Sequence, residues 1–357
     1  MFLLYLLLFA LLILVFSILL NDFLLKYLKN LGTQTNNNGE RWNSQKKPAI
    51  GGITFFICFL LATISLVYTS PQSLNFNYYQ FYGIMFAIVI GFLSGLFDDA
   101  YNTIPWLKLL MQIVCGLTLA LTGTSITIFD SHLMNLVLTV FWVVGIMNAI
   151  NLLDNMDSIA SVVSFFIISA FMLSVFLFDT STDHYFLILL GTSVSLLAFL
   201  KYNRWPSKMF MGDTGSMFLG VMLAAFGIIH LWNFEVSSQV LAPPIARLMA
   251  VACVFALPIT DTTTVFFKRL FIQRKSPYKG GKDHTTHHLS YLGISDRDVA
   301  LIFTGLSIIN SIAGIFALLV ADKWNSFHTL AFGSWFVLEF SVLFVIANLN
   351  TKRDETQ

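Results

Sequence analysis

MFLLYLLLFALLILVFSILL, residues 1–20, decides the fold class. An uncharged run of this length matches the roughly 20 residues that an α-helix needs to cross a hydrocarbon core about 30 Å thick. No Lys or Arg precedes the apolar stretch and no small-x-small cleavage site follows it, so a retained first helix is expected here, not a removed signal. The rest of the chain has the same character. Of 357 residues, 57% are hydrophobic and 11% charged, and the mean hydropathy is +0.77. Soluble domains carry about 25% charged residues, so this chain lacks the polar surface that water requires.

Working outward, eleven windows are long and apolar enough to be read as spans: about 1–25, 49–69, 81–97, 106–124, 133–152, 158–178, 184–201, 214–233, 246–270, 299–320 and 328–348. The expectation is an all-α polytopic membrane protein, a single integral-membrane domain over 1–357 with its motifs between about 46 and 299. Cys58, Cys115 and Cys253 lie singly inside apolar runs and read as small core residues, not as a disulfide frame or a metal site. The net charge of +1 says little, but its placement says much. If the helices alternate, every Lys and Arg among the 20 except Arg247 and Lys323 falls on the face that carries the long loops 26–48 and 271–298. The positive-inside rule makes that face cytoplasmic and puts the N-terminus outside.

The remaining polar groups gather on the same face. Asp98 and Asp99 end the third window, a pair that is costly beside hydrocarbon unless a cation or proton offsets it. Taken alone, they could equally be two solvated acids at an interface. Lys108 and Gln112 follow at i,i+4 and share a helix face. Asn148, Asn151, Asp154 and Asp157 recur every third residue. Over nine residues that pattern drifts about half a turn, so either the helix stops near Asn151 or the set wraps around a site; an amide ladder gluing helices together is the structural alternative. In MGDTGS, residues 211–216, Asp213 reads as an N-cap, although such a helix start also suits phosphate. GGKDHTTHHL, residues 280–289, is the most polar stretch. His287 and His288 are awkwardly adjacent for one zinc ion and no cysteine accompanies them, so donors to a diphosphate fit better.

Together these clusters resemble a known family, the polyprenyl-phosphate N-acetylhexosamine-1-phosphate transferases of glycosyl transferase family 4, which includes the phospho-N-acetylmuramoyl-pentapeptide transferases. The resemblance runs from about Pro48 to Val299 through P48-x-x-G51-G52, D98-D99, K108-x-x-x-Q112, N148-x-x-N151-x-x-D154-x-x-D157, N203 with F210-M-G-D213-x-G-S, and D283-H-x-x-H-H. It implies a catalytic set of Asp98, Asp99, Asp154, His287 and His288, with the acidic pair activating the lipid phosphate. It implies Mg²⁺, with Mn²⁺ as a substitute, held by Asp213 and Asn151. Substrate contacts are implied for Lys46, Lys47, Lys108, Asn148 and His284, with Asp157 reading the uracil edge, Phe210 stacking on the base and Asn203 nearby. The chain departs from the family pattern at Asn43, Asn102, Asn155, Ser158, Thr285 and Thr286.

The expected activity is transfer of an N-acetylhexosamine-1-phosphate, GlcNAc-1-phosphate first, from a UDP-sugar to undecaprenyl phosphate in a bacterial inner membrane, starting a cell-envelope polysaccharide. A phospho-MurNAc-pentapeptide transferase is the alternative within the class. The bilayer and both substrates are the expected partners, a homodimer across apolar helices would leave no mark in the sequence, and no nucleic-acid partner is expected. A transporter is the alternative of another class, since Asp261 between Thr260 and Thr262 could serve a proton relay. Transport sites sit near the midplane, however, and usually between repeats, and no repeat is visible here.

Overall fold

The computed structural model describes residues 2–28, 47–69, 77–178, 185–237, 240–274 and 281–349. In chain order the helices are α1 (Phe2–Tyr27), α2 (Gly51–Thr69), α3 (Tyr78–Tyr101), α4 (Pro105–Leu121), α5 (His132–Leu153), α6 (Ile159–Phe178) and α7 (Phe186–Asn203). They continue as α8 (Gly212–Gly227), α9 (Pro244–Val254), α10 (Ala256–Phe267), α11 (Thr285–Tyr291), α12 (Asp296–Leu319) and α13 (Ser326–Leu349). Residues 228–232 and 268–272 prolong α8 and α10 as π-helical turns. A short antiparallel ribbon, β1 (Glu235–Ser237) with β2 (Val240–Leu241), follows α8. The protein is thus all-α and built for a bilayer.

Among the described residues nine helices are long and apolar enough to cross a membrane, and α9 with α10 adds a tenth as a pair bent by 76°. Every expected window falls on one of these elements or on α4, but two windows differ from the helices found. The window 246–270 is broken at Phe255. Pro258 has no N–H to give Val254, and its ring crowds that carbonyl, so the helix restarts at Ala256. The window 106–124 stops at Leu121, because Thr122 closes α4 and Gly123 takes φ +95°.

The core is organised around α8. The stretch Gly212–Trp232 is buried except at the partly exposed Asp213, and is packed by α3, α5, α2 and α6. By contrast α1 and α13 leave large apolar side chains such as Leu3, Leu7, Leu330 and Val337 exposed, as lipid-facing helices do. Hydrogen bonds fix which helix ends meet. The C-terminal ends of α3 and α5 join the N-terminal ends of α4 and α8 through the Lys108 side chain. At the far end of α8, Asn233 bonds Ser125 and Thr127, while Arg247 Nη1 donates to Thr127 O at 3.0 Å and Trp232 O at 2.7 Å.

Backbones approach closely where α8 begins. A Cβ on Gly52 would collide with Gly215 N, and one on Gly95 with the Asp213 carbonyl. The main chain also links these parts: Gly51 N donates to Phe210 O at 3.1 Å, and Gly52 N to Met211 O at 3.0 Å. Gly52→Ala or Gly95→Ala is therefore expected to destabilise the protein by about 1–3 kcal/mol through overpacking. Gly145 in α5 and Gly305 in α12 have open space at the Cβ position; alanine at either should be neutral or stabilising by up to about 1 kcal/mol. Thermal unfolding in detergent checks the contrast, which equal effects in the two pairs would contradict.

Candidate active site

The site is assembled at the start of α8. Because this helix is buried, its first-turn N–H groups need protein acceptors. Asp99 on α3 supplies them: Oδ1 accepts from Asp213 N at 3.0 Å, and Oδ2 from Thr214 N at 2.8 Å and Thr214 Oγ1 at 2.7 Å. This corrects the sequence expectation that Asp213 is the N-cap. The helix opens at Gly212, whose φ is +72°, and the capping carboxylate comes from another helix. Asp213 is thereby released from capping, and its carboxylate faces its neighbours.

Those neighbours surround one cation. Lys108 Nζ donates to Asp98 Oδ2 at 3.3 Å, to Asn151 Oδ1 at 3.2 Å and, at the shortest contact, to Asp213 Oδ2. Asn151 Nδ2 in turn donates to Asp213 Oδ1 at 3.1 Å and Ser216 Oγ at 2.8 Å. Asp98 is oriented by Thr103, whose N–H and Oγ1 both donate to Oδ1, at 2.9 and 2.5 Å. One turn along α4, Gln112 exchanges amide hydrogen bonds with Asn148 at 2.8 and 3.1 Å. Asp98, Asp99, Lys108, Asn151 and Asp213 thus form one group, with the Gln112–Asn148 pair one turn along α4.

The second half of the polar run turns elsewhere. The helix α5 ends at Leu153 with Asp154 as its C-cap residue, and Ser158 takes φ +68°. Past that turn Asp157 accepts from Ser207 N and Ser207 Oγ, both at 2.8 Å. Lys47 Nζ donates to Ser207 Oγ at 3.0 Å, lies 3.8 Å from Asp157 and sits 5.3 Å from the Phe210 ring centroid. Asn203 ties this loop together: Oδ1 accepts from Ser158 N and Ser161 Oγ, and Nδ2 donates to Met209 O. Asn203 is buried and braces the loop, whereas Lys47, Asp157 and Phe210 form a second group of cation, carboxylate and ring. Lys46 lies outside the described residues.

The histidines form a third group on α11. Asp261 of α10 accepts from His284 Nδ1 at 2.8 Å, Thr285 N at 2.9 Å and Thr285 Oγ1 at 2.6 Å. Lys268 Nζ lies 2.8 Å from His288 Nε2, and Arg269 grips Asp283 with two bonds of 2.6 and 2.8 Å. Thr286 Oγ1 reaches Asn155 Oδ1 at 2.6 Å, linking α11 to the turn after α5. Asp261, Ser207, Thr103 and Arg269 were absent from the expected site. An acid between two threonines in an apolar window is the available signal for Asp261, and from sequence it fits a relay only under the transporter alternative.

Among the described residues no three His, Cys, Asp or Glu side chains group as a metal centre. What converges at Lys108 is two carboxylates and an amide oxygen. That oxygen set suits a hard divalent cation that keeps waters and takes phosphate oxygens as its other ligands.

The sequence profile of glycosyl transferase family 4 matches residues 81–231. This span holds the Lys108 group, Asp157, Asn203 and Phe210. A probable undecaprenyl-phosphate N-acetylglucosaminyl 1-phosphate transferase of Bacillus subtilis is 30% identical over 294 residues, covering 78% of this chain and 75% of that one. The phospho-N-acetylmuramoyl-pentapeptide-transferase of Limosilactobacillus reuteri is 26% identical over 332 residues, covering 85% and 94%. Its Streptococcus agalactiae counterpart is 29% identical over 294 residues, covering 76% and 83%. The chain belongs to glycosyl transferase family 4.

Outside the spans, Asp283 and His287 have displaced acidities. Burial would raise the Asp283 carboxyl, but the hydrogen bonds and charge of Arg269 outweigh it and hold the group below the usual range. Burial pushes the His287 imidazole from 6.5 down to about 3. In both cases the unfolded chain binds the proton more readily, so folding stability falls as pH falls. For His287 the contribution is complete above pH 6.5 and is lost towards pH 3. The melting temperature should fall on acidification through that window, and His287→Gln should flatten the dependence. An unchanged slope in the variant would show that His287 is not buried in its neutral form.

Proposed function

We propose that this chain transfers an N-acetylhexosamine-1-phosphate, with GlcNAc-1-phosphate as first choice, from a UDP-sugar to undecaprenyl phosphate, releasing UMP. The observation that carries the reading is the Lys108 ammonium ringed by Asp98, Asp213 and Asn151 beside the capped start of α8. Family membership supports the reaction class, and the Bacillus subtilis relative is by name a transferase to undecaprenyl phosphate. The whole chain then works as one transferase unit in the bacterial inner membrane. The near-complete placement of Lys and Arg on the motif-bearing face supports a cytoplasmic site.

The chemistry brings two anions together. An oxygen of the lipid phosphate attacks the β-phosphorus of the donor, the bond from that phosphorus to the bridging oxygen breaks, and UMP leaves with that oxygen. Asp213 and Asn151 would hold Mg²⁺, which when bound neutralises charge on the diphosphate. Lys108 adds a positive charge at the same place. Asp98 is assigned to take or orient the lipid phosphate proton, because its Oδ2 faces Lys108 while both oxygens of Asp99 serve the first turn of α8. Lys47 and Phe210 are the cation and ring offered to the nucleotide. A phospho-MurNAc-pentapeptide donor remains the second reading, favoured by the long coverage of the Limosilactobacillus enzyme.

Purified protein given undecaprenyl phosphate, Mg²⁺ and UDP-GlcNAc should release UMP and move label into lipid. Asp213→Ala should lower turnover by about 10²-fold or more. Asp98→Asn should lower kcat by about 10²–10⁴-fold as expected for loss of a general base. Asp99→Asn should cost less, since asparagine also caps helices. Activity only with UDP-MurNAc-pentapeptide would select the second reading. No turnover with any nucleotide sugar, in folded protein, would overturn both.

A further inference from the structure

Helix α10 lies beyond the region matched by the family profile, yet its side chains reach the histidine helix. Asp261 and Lys268 are seven residues apart and so share one face across two turns. Asp261 is 1% exposed in an apolar helix, where a carboxylate is costly unless paired. Its Oδ1 takes both donors of Thr285, anchoring the start of α11, and its Oδ2 lies 2.8 Å from His284 Nδ1. A carboxylate only accepts, so the imidazole hydrogen must sit on Nδ1, and Nε2 is the nitrogen left for a ligand. At Lys268 the logic reverses. An ammonium only donates, so His288 Nε2 accepts at 2.8 Å and the hydrogen lies on Nδ1. The two rings, one turn apart, are therefore prepared differently. On His284 the carboxylate engages Nδ1 and leaves Nε2 facing away from it, whereas on His288 it is Nε2 that Lys268 engages. Among the described residues the charged and titratable groups around His284 are Asp261, Asp283 and His287, with Arg269 bonded to Asp283.

We propose that Asp261 is a positioning residue for the donor site: it fixes His284 through Nδ1 and presents Nε2 to a phosphate oxygen of the donor diphosphate. Donor binding is accompanied by net uptake of one proton from bulk solvent at Nε2, which then donates a charge-assisted hydrogen bond to the anion. This assignment rests on the transferase reading above.

Asp261→Asn keeps an oxygen for the Thr285 N–H, and with it the anchorage of α11, but removes the charge. The donor KM is expected to rise about tenfold or more, the scale of one lost hydrogen bond to a charged group. The KM for undecaprenyl phosphate should stay within about twofold, whereas a purely structural role would lower kcat and leave the KM values together. His284→Gln should reproduce the effect, and the double variant should be no worse than His284→Gln. An unchanged donor KM in Asp261→Asn, or effects that multiply in the double variant, overturns the proposal. ¹⁵N NMR of histidine-labelled wild-type protein, with the His284 signal assigned by its loss in His284→Gln, needs neither the Asp261 variant nor turnover. Nδ1 should bear hydrogen in the free protein, and both nitrogens should bear hydrogen when UDP is added. A bare Nδ1, or an Nε2 that stays unprotonated with UDP, overturns the proposal. If the chain proves inactive with every UDP-sugar, the transferase reading fails while the NMR result still judges Asp261.

Discussion

An aspartate that accepts both the main-chain N–H and the hydroxyl of one Ser or Thr is the interaction on which this site depends. Among the described residues it occurs four times: Asp98 with Thr103, Asp99 with Thr214, Asp157 with Ser207 and Asp261 with Thr285. Each clamp joins two segments where a helix begins or a loop turns, and each satisfies donors that a bilayer-embedded chain cannot leave to water. In three of the four, one carboxylate oxygen takes both donors and the other is directed at a functional neighbour. Asp98 turns its second oxygen to Lys108, Asp99 to the Asp213 N–H and Asp261 to His284. The same bonds that hold the helix ends in place therefore also aim the groups that would meet substrate. Charge buried for structure and charge placed for chemistry are not separable here.

The close approach of α2 and α3 to the first turn of α8 makes the Asp99 clamp geometrically reachable. Gly52 and Gly95 allow main chain to lie against main chain, and the Asp99 carboxylate then lies within hydrogen-bond reach of two successive amides. A longer separation would leave those amides to solvent and Asp213 to cap its own helix, the local arrangement that Ser, Asn and Asp ordinarily adopt. Because a neighbour does the capping, Asp213 contributes its whole carboxylate to Lys108 and Asn151.

This explains what could be read from residues alone. The long apolar helices were legible, since each is a largely uncharged run with a physical length to match, whereas the short polar α11 lies inside the stretch 271–298 that reads as a loop; the i,i+4 spacing put Lys108 and Gln112 on one face, which the structure turns toward α5 and α8. The acids and amides were legible as a set because they are costly in an apolar chain. Their partners were not. Asp99 reaches across 114 residues to Asp213, and Asp157 across 50 to Ser207, distances at which local pattern carries no information. The 148–157 ladder left two outcomes open, and the structure resolves it by both ending the helix and dividing the set. Asn148 and Asn151 face α4 and α8, whereas Asp157 faces Ser207. The break at Phe255 was hidden because hydropathy averages over Pro258, and only the backbone shows where the helix restarts.

Charge balance at the centre bears on what the site can receive. Asp98 and Asp213 meet around one ammonium, Lys108, with Asn151 contributing an uncharged oxygen, and a third carboxylate, Asp99, accepts from the Asp213 N–H close by. Such a group is suited to a cation and would repel a diphosphate and a lipid phosphate arriving together, at separations where little water remains to screen them. On the proposed reaction, a divalent cation is thus a condition for the two anions to meet, beyond any help it gives the bond-making step. Lys108 alone cannot supply that balance, because its charge is already shared among three oxygens. At the other two clusters Lys47 beside Phe210 and Arg269 beside Asp283 are likewise each engaged with a carboxylate, and Lys268 is held by His288 Nε2 and the Ala347 carbonyl. The binding of phosphate therefore has to exchange existing ion pairs for new ones. Such exchange favours a ligand that brings its own cation, and it disfavours a bare anion of the same shape.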